Sequence, residues 1–374
     1  MIVGGMYVHI PFCRKACTYC NFHFSTLLKY KDPLIDALFT ELTLRSNEVD
    51  YSLHTLYFGG GTPTVLEIKD WDKLFGVLRN QYDLSQLKEV TVEANPEDIT
   101  KDKLEFLREH GVNRFSLGVQ SFIDDDLHWM RRSHNVASVD RAISLMRDEG
   151  FDNISIDLIY GLPNSTAGSW QYNLEKALSY DIPHISSYAL TCEPNTLYQH
   201  QLIKSIISAP IEDETVSQFY QMIDFLEGCG YKQYEISSFA KSGWESKHNS
   251  SYWKSMPYVG FGPSAHSFKN GERSWNVANN HLYIQALQDS KLPSQKEILS
   301  MADRFNETVM VGLRMADGVH IELIQSLGFS EYFLHEVKKH IENGHVLLSE
   351  NVYTLSREGK IFADRIASDL FYIA

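Results

Sequence analysis

The sequence lacks any apolar run of about 18 residues, the length a helix needs to cross a bilayer, so it predicts no integral membrane segment. It also lacks a basic excess: 34 Lys and Arg residues stand against 48 Asp and Glu residues, giving a formal net charge of −14. Because phosphate binding requires clustered cations, this balance argues against nucleic acid as a partner. The apolar start, residues 1–10, has no basic flank and indicates a strand rather than a signal peptide. We expect a cytoplasmic protein, attached at most peripherally to the inner face of the membrane.

Cysteine is scarce, and its distribution excludes a disulfide framework. The chain has five cysteines, an odd number, and Cys13, Cys17 and Cys20 lie close together. A secreted disulfide scaffold spreads an even count along a short chain, whereas clustered thiols in a reducing compartment are typical of metal ligands. Cys192 and Cys229 lie outside this cluster, and we expect them to be buried free thiols.

The first half of the chain alternates between short β-branched or aromatic runs and amphipathic stretches. The runs predict strands at Tyr7–Ile10, Thr55–Phe58, Glu89–Ala94, Arg114–Val119, Ile154–Ile159 and Ile185–Leu190. The stretches between them predict helices at Pro33–Glu48, Glu67–Asn80, Lys101–His110, Ser138–Glu149 and Ala167–Ser179. This alternation predicts an α/β fold with a parallel sheet. It leaves a doubly wound sheet and a barrel open, and six units are too few for a full eight-unit barrel.

The second half is organised differently and predicts two further domains. A helix is expected over Glu212–Gly228, followed by a segment with weak periodicity, Trp244–Trp275, that is rich in Gly, Ser, His and aromatic residues. Three helices, a hairpin and a last helix from Ser356 then resemble a small α+β winged-helix module. We therefore predict domains at 1–210, 211–295 and 296–374. The acidic charge favours packing or partner docking over DNA binding for the last one.

The cysteine cluster has the spacing of a metal-binding loop, Cys13-Arg-Lys-Ala-Cys17-Thr-Tyr19-Cys20. It offers three soft thiolates from one short segment. Structural zinc requires four ligands, and no second Cys or Cys-His pair stands at zinc-ribbon spacing. A cubane iron–sulfur cluster accepts three thiolates and leaves one iron open for an exogenous ligand, unless His23 serves as the fourth ligand. From the residues alone, iron–sulfur and zinc both remain open.

Polar and glycine residues follow the predicted strands at one edge of the sheet. The second strand ends in Phe58-Gly-Gly-Gly-Thr-Pro-Thr64, where glycines allow the backbone to approach a ligand closely. Glu93, Gln120 and Asp157 stand at the ends of later strands, and Arg132 follows the fourth. Carboxyl ends of strands in α/β sheets are where ligand sites form. The sequence therefore predicts a site at this edge.

The cysteine spacing, with an aromatic residue before the third cysteine and a strand before the first, resembles the signature of the radical SAM superfamily. That resemblance implies a partial (β/α)6 TIM-like barrel and a 4Fe-4S cluster held by Cys13, Cys17 and Cys20. Its open iron would bind the amino and carboxylate groups of S-adenosylmethionine, whose reductive cleavage yields a 5′-deoxyadenosyl radical. The cofactor carries this chemistry and the protein positions it.

Longer motifs closely resemble the oxygen-independent coproporphyrinogen III oxidase family over nearly the whole chain. They are residues 7–13, 58–64, 92–96, 118–122, 156–163 and 260–267. The resemblance implies that a set of residues surrounds S-adenosylmethionine, with Tyr19 touching its adenine through the backbone. The set is Tyr7, Gly60, Gly61, Thr62, Glu93, Gln120, Arg132, Asp157 and Ala189.

Two departures and one added motif point to the haem-chaperone branch of that family. The oxidases carry a further cysteine where this chain has Phe22, and they have a long N-terminal arm, whereas twelve residues precede Cys13 here. The segment His248-Asn-Ser-Ser-Tyr-Trp253 fits the H-N-x-x-Y-W pattern of the chaperones. The resemblance implies that His248 contacts haem iron and that haem passes to haem-requiring respiratory membrane enzymes. His266 either lines the cofactor pocket or packs against the barrel.

Two alternatives remain beside the haem chaperone. The first is an enzyme, the oxidase itself, which decarboxylates two propionates of coproporphyrinogen III to vinyl groups in porphyrin biosynthesis. The second is a zinc protein without catalytic activity that mediates contacts. Whether the chain is an enzyme stays open at this point.

Overall fold

The computed structural model describes residues 2–163 and 165–373. Its large sheet contains parallel strands that pair with one another in chain order. These strands are β1 (Val3–Ile10), β2 (Ser52–Gly60), β3 (Glu89–Ala94), β4 (Arg114–Gln120), β5 (Ile154–Tyr160) and β6 (His184–Ala189). Because the strand order never reverses, the sheet is not doubly wound, and the partial six-unit barrel is confirmed.

Helices cover the outer face of this barrel. They are α1 (Lys31–Leu44), α2 (Ile68–Gln81), α3 (Lys101–Glu109), α4 (Asp124–Trp129), α5 (Val136–Asp148) and α6 (Ala167–Ser179). The first predicted helix was too long, because α1 ends at Leu44 and a separate 3₁₀ turn follows over Ser46–Glu48. α4 was not predicted, since six residues are too few to show a helical period.

Alternation along the strands separates an apolar outer face from a polar lumen. On β4, Phe115 and Leu117 belong to the hydrophobic core under the helices, whereas Ser116 and Gly118 line a cavity inside the barrel. On β5, Asp157 faces the same cavity between two core residues. Successive strand side chains point to opposite faces, so a core built outside the barrel leaves its lumen free for polar groups.

The barrel sheet is extended at both edges. The additional elements are α7 (Leu197–Ile203), α8 (Glu212–Gly228), β7 (Lys232–Glu235), β8 (Ser238–Ala240), α9 (Lys247–Trp253), β9 (Tyr258–Phe261), β10 (His266–Lys269), β11 (Glu272–Asn276), α10 (Asn280–Gln288) and β12 (Ser294–Ile298). β8 pairs antiparallel with β6, and β9 pairs parallel with β1. The weakly periodic segment is therefore not a loop: its strands are too short for a sequence pattern.

The C-terminal part has its own core and a three-stranded sheet. Its elements are α11 (Met301–Arg314), β13 (Val319–His320), α12 (Ile321–Leu327), α13 (Ser330–Glu342), β14 (Val346–Ser349), β15 (Val352–Leu355) and α14 (Ala363–Asp369). The helices and hairpin match the expected winged-helix-like order. The last helix starts later than expected, after a 3₁₀ turn over Gly359–Phe362. Within the described ranges, no helix combines the length and apolar character that a bilayer crossing requires.

A buried ionic network fastens the extension to helix α1. The Glu41 side chain is fully buried and accepts hydrogen bonds from Arg45 Nη1 at 2.6 Å and from the Tyr283 hydroxyl at 2.5 Å. It also accepts from Asn276 Nδ2 at 2.7 Å and from the Gly262 backbone N–H at 2.8 Å. Four donors satisfy the carboxylate, which is the condition under which a buried charge is tolerated.

Replacing Glu41 should therefore destabilise the chain strongly. In Glu41→Ala the buried Arg45 guanidinium keeps only Glu48 as a carboxylate partner, and the other donors to Glu41 lose an acceptor, which together costs about 3–5 kcal/mol in the free energy of unfolding. Chemical denaturation measures the change. The matched control is Glu342→Ala, which breaks an exposed i,i+4 pair with Lys338 and should cost less than about 1 kcal/mol. Equal effects of the two substitutions would contradict the role given to this network.

Candidate cluster and nucleotide site

The three clustered cysteines follow β1 and line one end of a cavity of about 830 Å³, which we call the barrel cavity. Protein groups already orient two of the thiols. The Thr62 hydroxyl donates to Cys13 Sγ at 3.5 Å, and Arg132 Nη1 donates to Cys17 Sγ at 3.3 Å. The loop is tied down from outside by the Thr18 hydroxyl, which donates to the Trp129 carbonyl at 2.7 Å.

This donor set fits an iron–sulfur cluster better than a zinc ion. Among the described residues, no three Cys, His or carboxylate side chains converge tightly enough to hold a single metal ion. The His23 ring lies 2.7 Å from the amide oxygen of Asn280, so it is engaged away from the thiols. Burial raises the pKa of Cys13 to about 12 and that of Cys20 to about 11, so a metal centre must displace their protons when it binds. Three soft ligands in one loop suit a polynuclear iron site with one open iron.

The glycine loop after β2 presses against the cysteine loop. Gly60 has a φ of +113°, and a Cβ there would lie 2.7 Å from the His9 ring. A Cβ on Gly61 would lie 2.7 Å from the carbonyl oxygen of Phe12, the residue before the first cysteine. Both positions therefore require glycine, one for backbone conformation and one for close backbone approach.

Two carboxylates face the barrel cavity beneath the glycine loop. Glu93 accepts a hydrogen bond from the Tyr57 hydroxyl at 2.8 Å and another from the Gly60 N–H at 3.1 Å. Asp157 accepts from the Ser116 hydroxyl at 3.1 Å. Burial raises the pKa of Glu93 to about 7 and that of Asp157 to about 6. Buried acids of this kind favour a cationic ligand, which would restore their ionised form.

Arg132 joins the cysteine loop to the barrel strands. Besides Cys17, its guanidinium donates to the Asn95 side-chain oxygen at 2.5 Å and to the Gly118 carbonyl at 2.8 Å. Its Nε is buried and has no hydrogen-bond partner within the described residues. Gln120, at the end of β4, has a φ of +70°, a left-handed conformation that is unusual for this residue type and is found at ligand sites.

The structure brings most of the residues predicted from the sequence to one place. In addition to the three cysteines, those that line the barrel cavity are Tyr19, Gly60, Gly61, Thr62, Glu93, Gln120, Arg132, Asp157 and Ala189. Tyr7 is not among its lining residues. Its hydroxyl lies 2.9 Å from Nδ1 of His9, and its ring packs 6.0 Å from that of Tyr57. Tyr7 therefore supports the wall rather than facing the cavity.

His248 is not placed as a haem ligand requires. It is buried in α9, with Nδ1 2.7 Å from the Thr55 hydroxyl and Nε2 2.7 Å from the Tyr252 hydroxyl. Its ring stacks on Tyr57 at 4.9 Å, and burial lowers its pKa to about 3. Both ring nitrogens are thus engaged, so ligation of iron by His248 requires these contacts to open.

The barrel cavity has a second part, lined by C-terminal residues, that no sequence motif predicts; we call it the outer end. Arg314, Lys360 and Arg365, all from the C-terminal part, line it together with Asn249 of α9. Lys360 Nζ donates to the Gln233 amide oxygen at 2.6 Å. A sequence signal existed, because basic residues recur at 357, 360 and 365, but no local pattern indicates that this turn faces the barrel.

The two cysteines outside the cluster were also misjudged. Cys192 and Cys229 are both exposed rather than buried. Cys192 follows β6 in a loop, and Cys229 ends α8, so both stand at element ends rather than on an inward-facing side of a helix or strand. Whether a residue at such an end is exposed depends on the tertiary packing, and no periodic pattern in the sequence indicates it.

Comparison with known proteins shows the family and the fold of the chain. The radical SAM superfamily model matches residues 7–177. The haem chaperone HemW of Lactococcus lactis is 36% identical over 326 residues, covering 86% of this chain and 84% of that protein. HemW of Bacillus subtilis is 35% identical over 369 residues, covering 96% and 97% respectively. The solved structure of coproporphyrinogen III oxidase (HemN) from Escherichia coli superposes with a TM-score of 0.86 at 24% identity, covering 99% of this chain and 90% of that one, and shows the same fold.

A methyl group on the glycine loop should disturb the cysteine loop. In Gly61→Ala the new Cβ meets the Phe12 backbone, which cannot move aside as a flexible side chain does, so Cys13 shifts. We expect iron incorporation per chain, measured after anaerobic reconstitution, to fall several-fold. Gly76→Ala is the control, because no atom lies within 4 Å of its Cβ and alanine favours its helix by roughly 0.5–1 kcal/mol. Full iron loading in Gly61→Ala would contradict the contact.

Proposed function

Because the chain belongs to the HemW family of the radical SAM superfamily, we propose that it is a haem chaperone built on a radical SAM barrel. It binds a 4Fe-4S cluster, S-adenosylmethionine and haem, and it passes haem to haem-requiring proteins. The observation that supports the cofactor part of this proposal is that three thiols, a glycine loop and two half-buried carboxylates line one cavity. Haem binding is supported by the HemW relatives that match this chain along most of its length.

The cluster and the nucleotide would share the barrel cavity. Cys13, Cys17 and Cys20 hold the cluster, which supplies an iron for chelation and an electron source when bound. Glu93 and Asp157 attract the positive charges of S-adenosylmethionine, and the buried site makes that attraction stronger than it is in water. The Gly60–Gly61 loop gives the ligand close access to the backbone.

The destination of haem is proposed from the family resemblance. Respiratory enzymes embedded in the membrane require haem, and a cytoplasmic chaperone meets them at the inner membrane face. The chain carries no basic excess for binding anionic lipid, with a net charge of −14, so recognition of the acceptor protein would direct any contact with the membrane.

One observation favours the oxidase as a second candidate. The outer end of the barrel cavity presents Arg314, Lys360 and Arg365, and a porphyrinogen with four propionates needs such cations. Arg314 is already paired with Asp364 at 3.0 Å, which leaves Lys360 and Arg365 to receive carboxylates. Phe22, at the position where the oxidases have a further cysteine, counts against this candidate.

Parallel assays on one anaerobic preparation separate the two functions. Reconstituted protein is titrated with haemin and followed by its Soret band, and a second sample is supplied with S-adenosylmethionine, reductant and coproporphyrinogen III. We expect stoichiometric haem binding without formation of protoporphyrinogen. Release of carbon dioxide and 5′-deoxyadenosine with that substrate would establish the oxidase instead, and absence of haem binding would remove the chaperone.

The affinity for S-adenosylmethionine should depend on pH through Glu93 and Asp157. Their pKa values are raised to about 7 and about 6, so both carboxyls lose charge, and with it their attraction for a cation, as the pH falls from 8 to 5.5. We expect the affinity to weaken on the order of tenfold over this range, as measured by calorimetric titration with the iron content checked at each pH. Glu93→Gln should bind weakly at both pH values, whereas Glu109→Gln, a change on the exposed face of α3, should behave like wild type. A pH-independent affinity in wild type would contradict this role.

A further inference from the structure

A second cavity, of about 670 Å³, lies at the far edge of the extended sheet and shares no lining residue with the barrel cavity. We call it the edge groove. Side chains of β10, β11, α10 and β12 form it, and its walls are mostly apolar. The apolar lining includes Trp275, Val277, Leu282, Leu292 and Pro293. Leu282 and Leu292 are 50% and 41% exposed, so the groove presents apolar surface to solvent instead of closing over it.

One imidazole stands at this groove. His266, the first residue of β10, is exposed and lines the groove, and its ring stacks on the Trp275 ring with centroids 6.1 Å apart and planes 26° apart. Burial of part of the ring and the nearby Arg273 lower the pKa of His266 below its usual value. The ring is therefore neutral at neutral pH, the state in which a nitrogen lone pair ligates a metal.

In the described part of the chain, the barrel cavity offers no imidazole to a haem iron. Among the described residues, its lining contains no histidine and no methionine, and its cysteines belong to the cluster loop. Two buried histidines of the barrel strands have both ring nitrogens engaged. His9 contacts the Tyr7 hydroxyl and the His23 carbonyl, and His184 contacts the hydroxyls of Ser155 and Tyr234. An iron porphyrin entering the barrel would thus find no free imidazole there.

We propose that the edge groove binds haem, with His266 as an axial ligand to the iron and the macrocycle against the apolar walls. The proposal rests on the function proposed above and assigns its haem to a site separate from the cluster and the nucleotide. An apolar groove suits the porphyrin faces, and the open side of the groove leaves the propionates in water. Lys291, beside the lining residue Leu292, is exposed and pairs with the exposed Asp289 at 3.5 Å, a weak surface pair that its ammonium gives up at little cost to meet a propionate.

Haemin titration of reconstituted full-length protein tests this proposal, with iron-free protoporphyrin IX as a second probe. In His266→Ala we expect the Soret band to lose the position typical of histidine ligation and the haemin affinity to fall at least tenfold. The affinity for protoporphyrin IX should change little, because that molecule has no iron to ligate. Leu282→Glu, which places a charge in the groove, should weaken binding of both probes.

His281→Ala is the matched control, since His281 is an exposed histidine of α10 that does not line the groove. It should retain the wild-type spectrum and affinity. Unchanged cluster content and circular dichroism establish that each variant is folded. If wild type binds haemin and His266→Ala binds it with the same spectrum and affinity, the edge groove is overturned while the chaperone function stands. If wild type binds no haemin, the chaperone function itself fails, and this inference fails with it.

Discussion

The site depends on two carboxylates, Glu93 and Asp157, that are held inside a barrel where water solvates them poorly. Burial raises both pKa values, and hydrogen bonds from Tyr57, Gly60 and Ser116 offset only part of that cost. A cationic ligand would offset the rest of this cost, because its positive charge stabilises the ionised carboxylates where water does not. Side chains along each strand point alternately outward and inward. The apolar ones pack on the outer face under the helices, which leaves the lumen to polar residues. The same alternation therefore determines both the fold and the chemistry of the ligand site.

The H-N-x-x-Y-W motif connects this lumen to the rest of the molecule. His248 stacks on Tyr57, whose hydroxyl donates to Glu93, so the motif supports the carboxylate from below. Asn249 faces the outer end of the barrel cavity, and the Trp253 ring lies 5.9 Å from the Arg314 guanidinium carbon. One short helix therefore touches the barrel lumen, the cavity mouth and the C-terminal part. These contacts give the motif a structural role that requires no metal ligation by His248.

Much of the barrel was predictable because its signals are local. The six strands are β-branched runs, and Glu93 and Asp157 stand at strand positions that a parallel sheet brings to one edge. The environment of His248 was not predictable, because its hydrogen bonds to Thr55 and Tyr252 form only when α9 packs against the barrel. The same holds for the turn at 359–362, whose approach to the cavity is a long-range contact that leaves no period in the sequence.

The central claim is that three thiols and two carboxylates, all lining the barrel cavity, bind one nucleotide. Electron paramagnetic resonance of the reduced cluster tests it most directly, because an iron that gains the amino and carboxylate groups of S-adenosylmethionine changes its spectrum. Anaerobically reconstituted protein with a full iron content should show shifted g values when saturating S-adenosylmethionine is added, and Glu93→Gln should need more nucleotide for the same shift. Identical spectra with and without the nucleotide would contradict the account.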